Sequence, residues 1–254
     1  MTISKKVWTN YINGLAKVSD TAKAKVLEYI SKHDVSTDEG RKALIDYCYG
    51  ISTKYGEAAS AFACQMYDAV SMAEGADVEP AEPAEVASYN EVGKAVNGAL
   101  KNILYAEICA TSISRLVKRT GQDTTLNNAI RDVVYIAWIP SGDTCPYCLG
   151  IAAEGWQRAS TKMLDGGHAE HIHGNCNCAF SIKHNKDTSY SSYQPEEYQE
   201  IFDEAEGSTK RAKMNSIRRT EYAKNREKIL DQKATVYEKH KELNSSEVTE
   251  VNVD

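Results

Sequence analysis

The chain has 254 residues, 42% hydrophobic and 26% charged, with a formal net charge of −6 at pH 7. That is enough chain for one large domain or two small ones, with the composition of a soluble globular protein. The acidic balance excludes indiscriminate nucleic-acid binding over the whole surface. No apolar run approaches the roughly 18–20 residues of a bilayer span, and no apolar stretch follows Lys5 and Lys6 to make a signal peptide. Such a chain is expected to fold in a cytoplasm, where clustered cysteines are metal ligands more often than disulfides.

In chain order the pattern is helical first. A helix is predicted over about 20–33, with Val26, Leu27 and Ile30 on its apolar face. Ser36 and Glu39 have capping-box spacing. They open a long amphipathic run through Leu44, Cys48, Ile51, Phe62, Met66 and Val70, spaced at 3 and 4. Gly50 and Gly56 are expected to weaken it and break it in two. An acidic, proline-containing connector over 74–84 leads to a second long helix from about Pro83 to Lys118. Thr120 and Gly121 should end that helix, with Lys118 and Arg119 at its C-terminus. A third helix is predicted over about 125–137. Cys48, Cys64 and Cys109 sit singly in apolar helical patterns and read as small hydrophobes.

From Trp138 to Ile182 the long periodicity disappears and glycine is frequent. Four of the seven cysteines fall here in two tight pairs, Cys145-Pro-Tyr-Cys148 and Cys176-Asn-Cys178. His168, His171 and His173 precede the second pair. Thiolate and imidazole are zinc-binding side chains, and a C-x-x-C pair is the usual first half of a closed tetrahedral site. Cys145, Cys148, Cys176 and Cys178 give four ligands, and His173 is an alternative fourth. A segment this poor in large apolar residues needs the stabilisation that a metal supplies. Trp138, Trp156 and Phe180 are available to cover it.

Three catalytic readings stand beside the structural one; the first, a metal-dependent nuclease suggested by the His cluster, lacks a further Asp/His ligand set at known spacing. Cys145-Pro-Tyr-Cys148 matches the glutaredoxin tetrapeptide, but that chemistry needs a βαβ context. His168-Ala-Glu170 with a C-x-x-C pair has the parts of a zinc deaminase, but in reversed order. No phosphate loop and no G-x-S-x-G elbow is present, so no enzyme is expected. After Pro195 an acidic stretch gives way to a basic one containing Arg211, Arg218, Arg219, Lys224 and Arg226. This is either a solvated helix face or a surface for an acidic partner.

The block from Trp138 to Cys148, then Gly155-Trp-Gln157, then His168 to Cys178, resembles the minor capsid proteins of tailed phages that infect Gram-positive bacteria. These are relatives of the phage Mu F-like head morphogenesis proteins. The wider pattern is C-P-x-C followed by H-P-x-C-R-C; this chain has Gly174 and Asn177 at the proline and arginine positions. Thr53 to Gly56, Gln65 to Asp68, Asp123 to Asp132 and Asn215 to Arg219 also look like blocks of the narrower group, so the resemblance covers most of the chain. It implies a virion component present in few copies, at the portal vertex or inside the head. The implied partners are the portal protein, other capsid proteins and packaged DNA, with no membrane. A nucleic-acid-binding or nuclease-like phage protein is the alternative function, and a small thiol redox enzyme a further one.

The expected architecture is therefore mainly α. Residues 1–120 form an N-terminal helical region and 121–185 a Mu F-like Cys/His core. Residues 186–242 form acidic and basic helices, and 243–254 a disordered tail. Structural zinc is the expected cofactor.

Overall fold

The computed structural model describes residues 2–141, 145–165, 176–190 and 193–228, together with 230, 231, 234, 235 and 238. The expected tail over 243–254 lies outside them. The protein is mainly α, as its periodicity predicts. The chain divides into two compact units, Met1–Glu200 and Ile201–Asp254.

The first unit opens with a short strand, β1 (Thr2–Ile3), and then α1 (Lys5–Lys32). The helix begins far earlier than residue 20, because Ser4 caps it through Lys6 N. The next helix, α2 (Asp38–Glu74), is capped by Thr37, whose side chain accepts from Gly40 N at 3.0 Å. Ser36 instead bonds Asp34, so the capping box expected at Ser36 and Glu39 does not form and the N-cap lies one residue later. Gly50 and Gly56 do not interrupt α2. Its end is Gly75, in a left-handed conformation that glycine adopts without strain.

The predicted helix over 83–118 is two helices, α3 (Tyr89–Ala99) and α4 (Tyr105–Arg131). Ser88 and Glu91 make a reciprocal capping box at the start of α3. The expected stop at Gly121, and the domain boundary at 120/121, fall inside α4. The reason is tertiary. Residues 120–128 are rich in Thr and Asn, which are weak helix formers, yet α4 is the central helix and its small polar residues have partners. Thr124 Oγ1 donates to Ser60 Oγ at 3.0 Å. Asn128 binds both the N–H and the C=O of Glu82, and Thr124 accepts from Ala84 N. These bonds pin a connector whose composition alone describes a bare linker. Gly121 lets α4 approach its neighbours, since a Cβ there would lie 2.7 Å from Leu15 Cδ2 and 3.2 Å from Ala59 O.

Arg119 is likewise mid-helix. It pairs with Glu91 at 2.8 Å and faces Asp123 at 3.6 Å. Burial raises the Asp123 carboxyl to about 6, against the opposing pull of Arg119. A carboxyl whose folded pKa is raised stabilises the fold fully below its ordinary value of 3.8. That contribution is lost as pH rises through about 6. A displacement of this size is worth up to about 3 kcal/mol. Asp123→Asn should therefore raise the melting temperature at neutral pH and leave it unchanged near pH 4. Paired melting curves check this; equal effects at both pH values would refute it.

The helix predicted over 125–137 ends at Arg131. Val133 takes a left-handed φ of 53°, a strained conformation for a β-branched residue. Strand β2 (Tyr135–Ile139) follows, then α5 (Pro146–Ala152), β3 (Gln157–Arg158), α6 (Thr161–Asp165), β4 (Ala179–Lys183), β5 (Ser189–Tyr190) and α7 (Pro195–Glu204). An antiparallel sheet has the order β3-β2-β4, and β1 pairs with β5 in parallel. Strand β4 is buried along its whole length, against α2 and α4. A run buried on both faces shows no alternation, which is why the sequence disguises it. Sheet and helices share one hydrophobic core.

The division between units falls within α7. The second unit contains α8 (Lys210–Lys224), capped by Thr209.

Candidate metal centre

The sheet register brings the two cysteine pairs together. Ile139 at the end of β2 lies opposite Ala179 at the start of β4. The chain therefore leaves β2 toward Cys145 at the same end of the sheet where Cys178 enters β4. Cys145 is the N-cap of α5, its Sγ accepting from Cys148 N at 3.4 Å, and Pro146 holds the first helical position. Cys148 is thereby turned inward, 2% exposed, beside Cys176 and Cys178 at 4% and 3%.

The Sγ atoms of Cys148, Cys176 and Cys178 all lie within 4.8 Å of one another, and Cys148 Sγ is 3.4 Å from Cys176 Sγ. A tetrahedral zinc with bonds of about 2.3 Å holds its sulfurs about 3.8 Å apart, so the arrangement fits a thiolate-bound ion. These three cysteines could hold a metal. Cys145 adjoins them through its hydrogen bond with the Cys148 thiol. Hydrogen bonding of its S–H to Cys145, Cys176 and Cys178, together with burial, holds the Cys148 thiol far above the ordinary range. The bond with Cys148 lowers Cys178, but Cys176 and burial outweigh it and push Cys178 up to about 12. Metal binding at Cys148 and Cys178 must expel their protons.

Helix α4 grips the second pair. Lys118 Nζ donates to Cys176 O at 2.9 Å and Asn177 Oδ1 at 3.2 Å. One turn on, Gln122 Nε2 donates to Cys178 O at 3.1 Å, and Gln122 Oε1 accepts from Phe180 N at 2.9 Å. Behind the pair, Trp138 and Phe180 meet edge to face across β2 and β4, their centroids 4.7 Å apart.

A family model described as VG15 protein matches residues 2–205, a span that includes every cysteine above. The chain belongs to the VG15 protein family. It is accordingly a phage protein. No curated protein matches it, and no solved structure does.

Of the ligands predicted for this VG15 chain, Cys148, Cys176 and Cys178 come together with Cys145 beside them. His173 lies outside the described residues. The basic residues Arg211, Arg218, Arg219, Lys224 and Arg226 are all exposed, the first four on α8. The pairing of acidic and basic stretches appears in Lys213 with Asp203 at 3.0 Å. Cys48 and Cys109 are not solitary. Both are buried, on α2 and α4, and their hydrogen bond and burial push the Cys48 thiol up. Sequence reasoning misses Lys118 and Gln122 as parts of the centre. The available signal is polar residues at i, i+4 continuing a buried stripe through Ser114. Among the described residues, no helix is long and apolar enough to cross a membrane.

Proposed function

We propose that the protein is a minor structural component of a phage head, assembled at the portal vertex or capsid interior. In this reading its thiol cluster is a structural zinc knuckle and it has no turnover of its own. The observation that carries it is the burial of three convergent thiols, each under 5% exposed, in a member of a phage protein family. A catalytic zinc keeps an open position for water, whereas all-sulfur buried sites are closed and structural. The redox alternative fits less well. Both neighbours of β2 run antiparallel to it, so the C-P-Y-C tetrapeptide follows no βαβ crossover among the described residues. The nuclease-like alternative rests on the exposed cations of α8, which serve equally for binding packaged DNA or an acidic portal surface.

Purified virions test the reading. Quantitative peptide counting should find the protein at a low, fixed ratio to the major capsid protein. Arg218→Glu with Arg219→Glu should lower incorporation while leaving melting within about 0.5 kcal/mol, as for exposed charges elsewhere. Absence from virions, or DNA cleavage by the purified protein that Cys148→Ser abolishes, would overturn it.

A further inference from the structure

We infer that Lys118 and Gln122 of α4 form the outer support of the thiol centre, Lys118 supplying its counter-charge and Gln122 fixing its register. The inference rests on the metal-centre reading above. Its starting point is the position of the lysine, 4% exposed in the middle of a helix, with its ammonium hydrogen-bonded to the carbonyl of Cys176. A buried ammonium is costly unless negative charge lies close by. Burial disfavours its charged form, and Asp20 of α1 is the foremost group opposing that.

The charge balance gives the centre a use for this cation. Four thiolates and one divalent ion sum to a net −2, three thiolates to −1. Excess negative charge in a water-poor interior is unfavourable unless a cation lies close by. An ammonium held on the ligand segment itself, at the carbonyl of Cys176, offsets that charge and favours the metal-bound state. Gln122 acts geometrically. Its amide group donates to Cys178 O and accepts from Phe180 N, fixing the backbone on both sides of Ala179. The sulfur of Cys178 is thereby held at a set height on α4. Groups of this kind, behind the ligands, are worth about 10–100-fold in metal affinity.

The test uses the full chain and zinc, with affinity read by competition against a chromophoric chelator. Two neutral variants are compared, Lys118→Met, which removes charge and donor, and Lys118→Gln, which keeps a donor. Both should bind zinc at least tenfold more weakly than the parent. Their metal-free forms should melt no lower than the parent, because a buried charge has been removed. If Lys118→Met fails to fold, Lys118→Gln carries the comparison. Unchanged zinc affinity in a folded variant would overturn the counter-charge role. So would a fall in metal-free stability with affinity unchanged, which marks a purely structural lysine. If the parent itself binds no zinc, the metal-centre reading fails instead, and the two failures are distinct.

Discussion

Stripping metal from the centre is expected to destabilise the protein by about 4 kcal/mol when zinc had been present at about a thousandfold over its dissociation constant. Zinc sites in small domains supply about 10–16 kcal/mol because nothing else folds them. Here the pair of strands β2 and β4 is already part of the helical core, so the contribution reduces to mass action. For a unit of this size that is a fall of about 8–16 °C in melting temperature. Cys148→Ser separates the metal from the side chain it replaces. The serine is nearly isosteric, so in chelator the variant and the parent should melt close together. With zinc only the parent should rise. Hydrogen exchange should show the lost protection in β4 and in the α4 turn from Lys118 to Gln122, since both are bonded to the ligand segment. Identical melting of the parent with and without zinc would end the structural-metal reading.

That expectation differs from the one the sequence alone supports, and the difference lies in β4. A glycine-rich segment with few large apolar side chains predicts an autonomous knuckle that unravels by itself. Ala179, Phe180, Ser181, Ile182 and Lys183 are all buried, but only two of the five are large and apolar. The strand is buried by what lies over it, and this cannot be read from its own pattern. The lysine makes the point most directly. Lys183 is 6% exposed, with its ammonium donating to the carbonyls of Lys186 and Thr188. Nothing local distinguishes it from a surface lysine.

The thiols are legible in the sequence because ligand chemistry is local in type and spacing, and two short pairs point to one centre. Their supports are not. Lys118 and Gln122 belong to a helix whose second half carries Thr120, Gly121, Thr124, Thr125 and Asn128, residues that weaken an isolated helix. Propensity places a stop there. Contacts with α1, α2 and the connector override it, and only those contacts explain why polar residues recur on a buried face. The long helices themselves are plain in the sequence wherever leucine, isoleucine and valine keep the 3.6 period.

The glycines of these helices give the second large expected effect. Gly50 and Gly121 both lie inside long helices, and helix propensity alone predicts that alanine at either adds about 1 kcal/mol. Their surroundings separate them. A Cβ at Gly50 meets nothing within 4 Å, so Gly50→Ala should be stabilising. At Gly121 the Cβ would lie 2.7 Å from Leu15 Cδ2 and 3.2 Å from the backbone oxygen of Ala59. Leu15 is 5% exposed and has little room to move, and a carbonyl inside a helix cannot swing away. Valine adds two further carbons at the same place. Gly121→Val should therefore cost about 3 kcal/mol or more, as overpacking of a close helix crossing does, and lower melting by about 6–12 °C. The crossing also sets the height of α4, and Gly121 sits between Lys118 and Gln122. Forcing α4 outward moves both donors away from the Cys176–Cys178 backbone, so zinc affinity should fall together with stability. A variant that melts like the parent would show that the crossing has slack. One that loses stability but keeps full zinc affinity would show that the centre is held without α4.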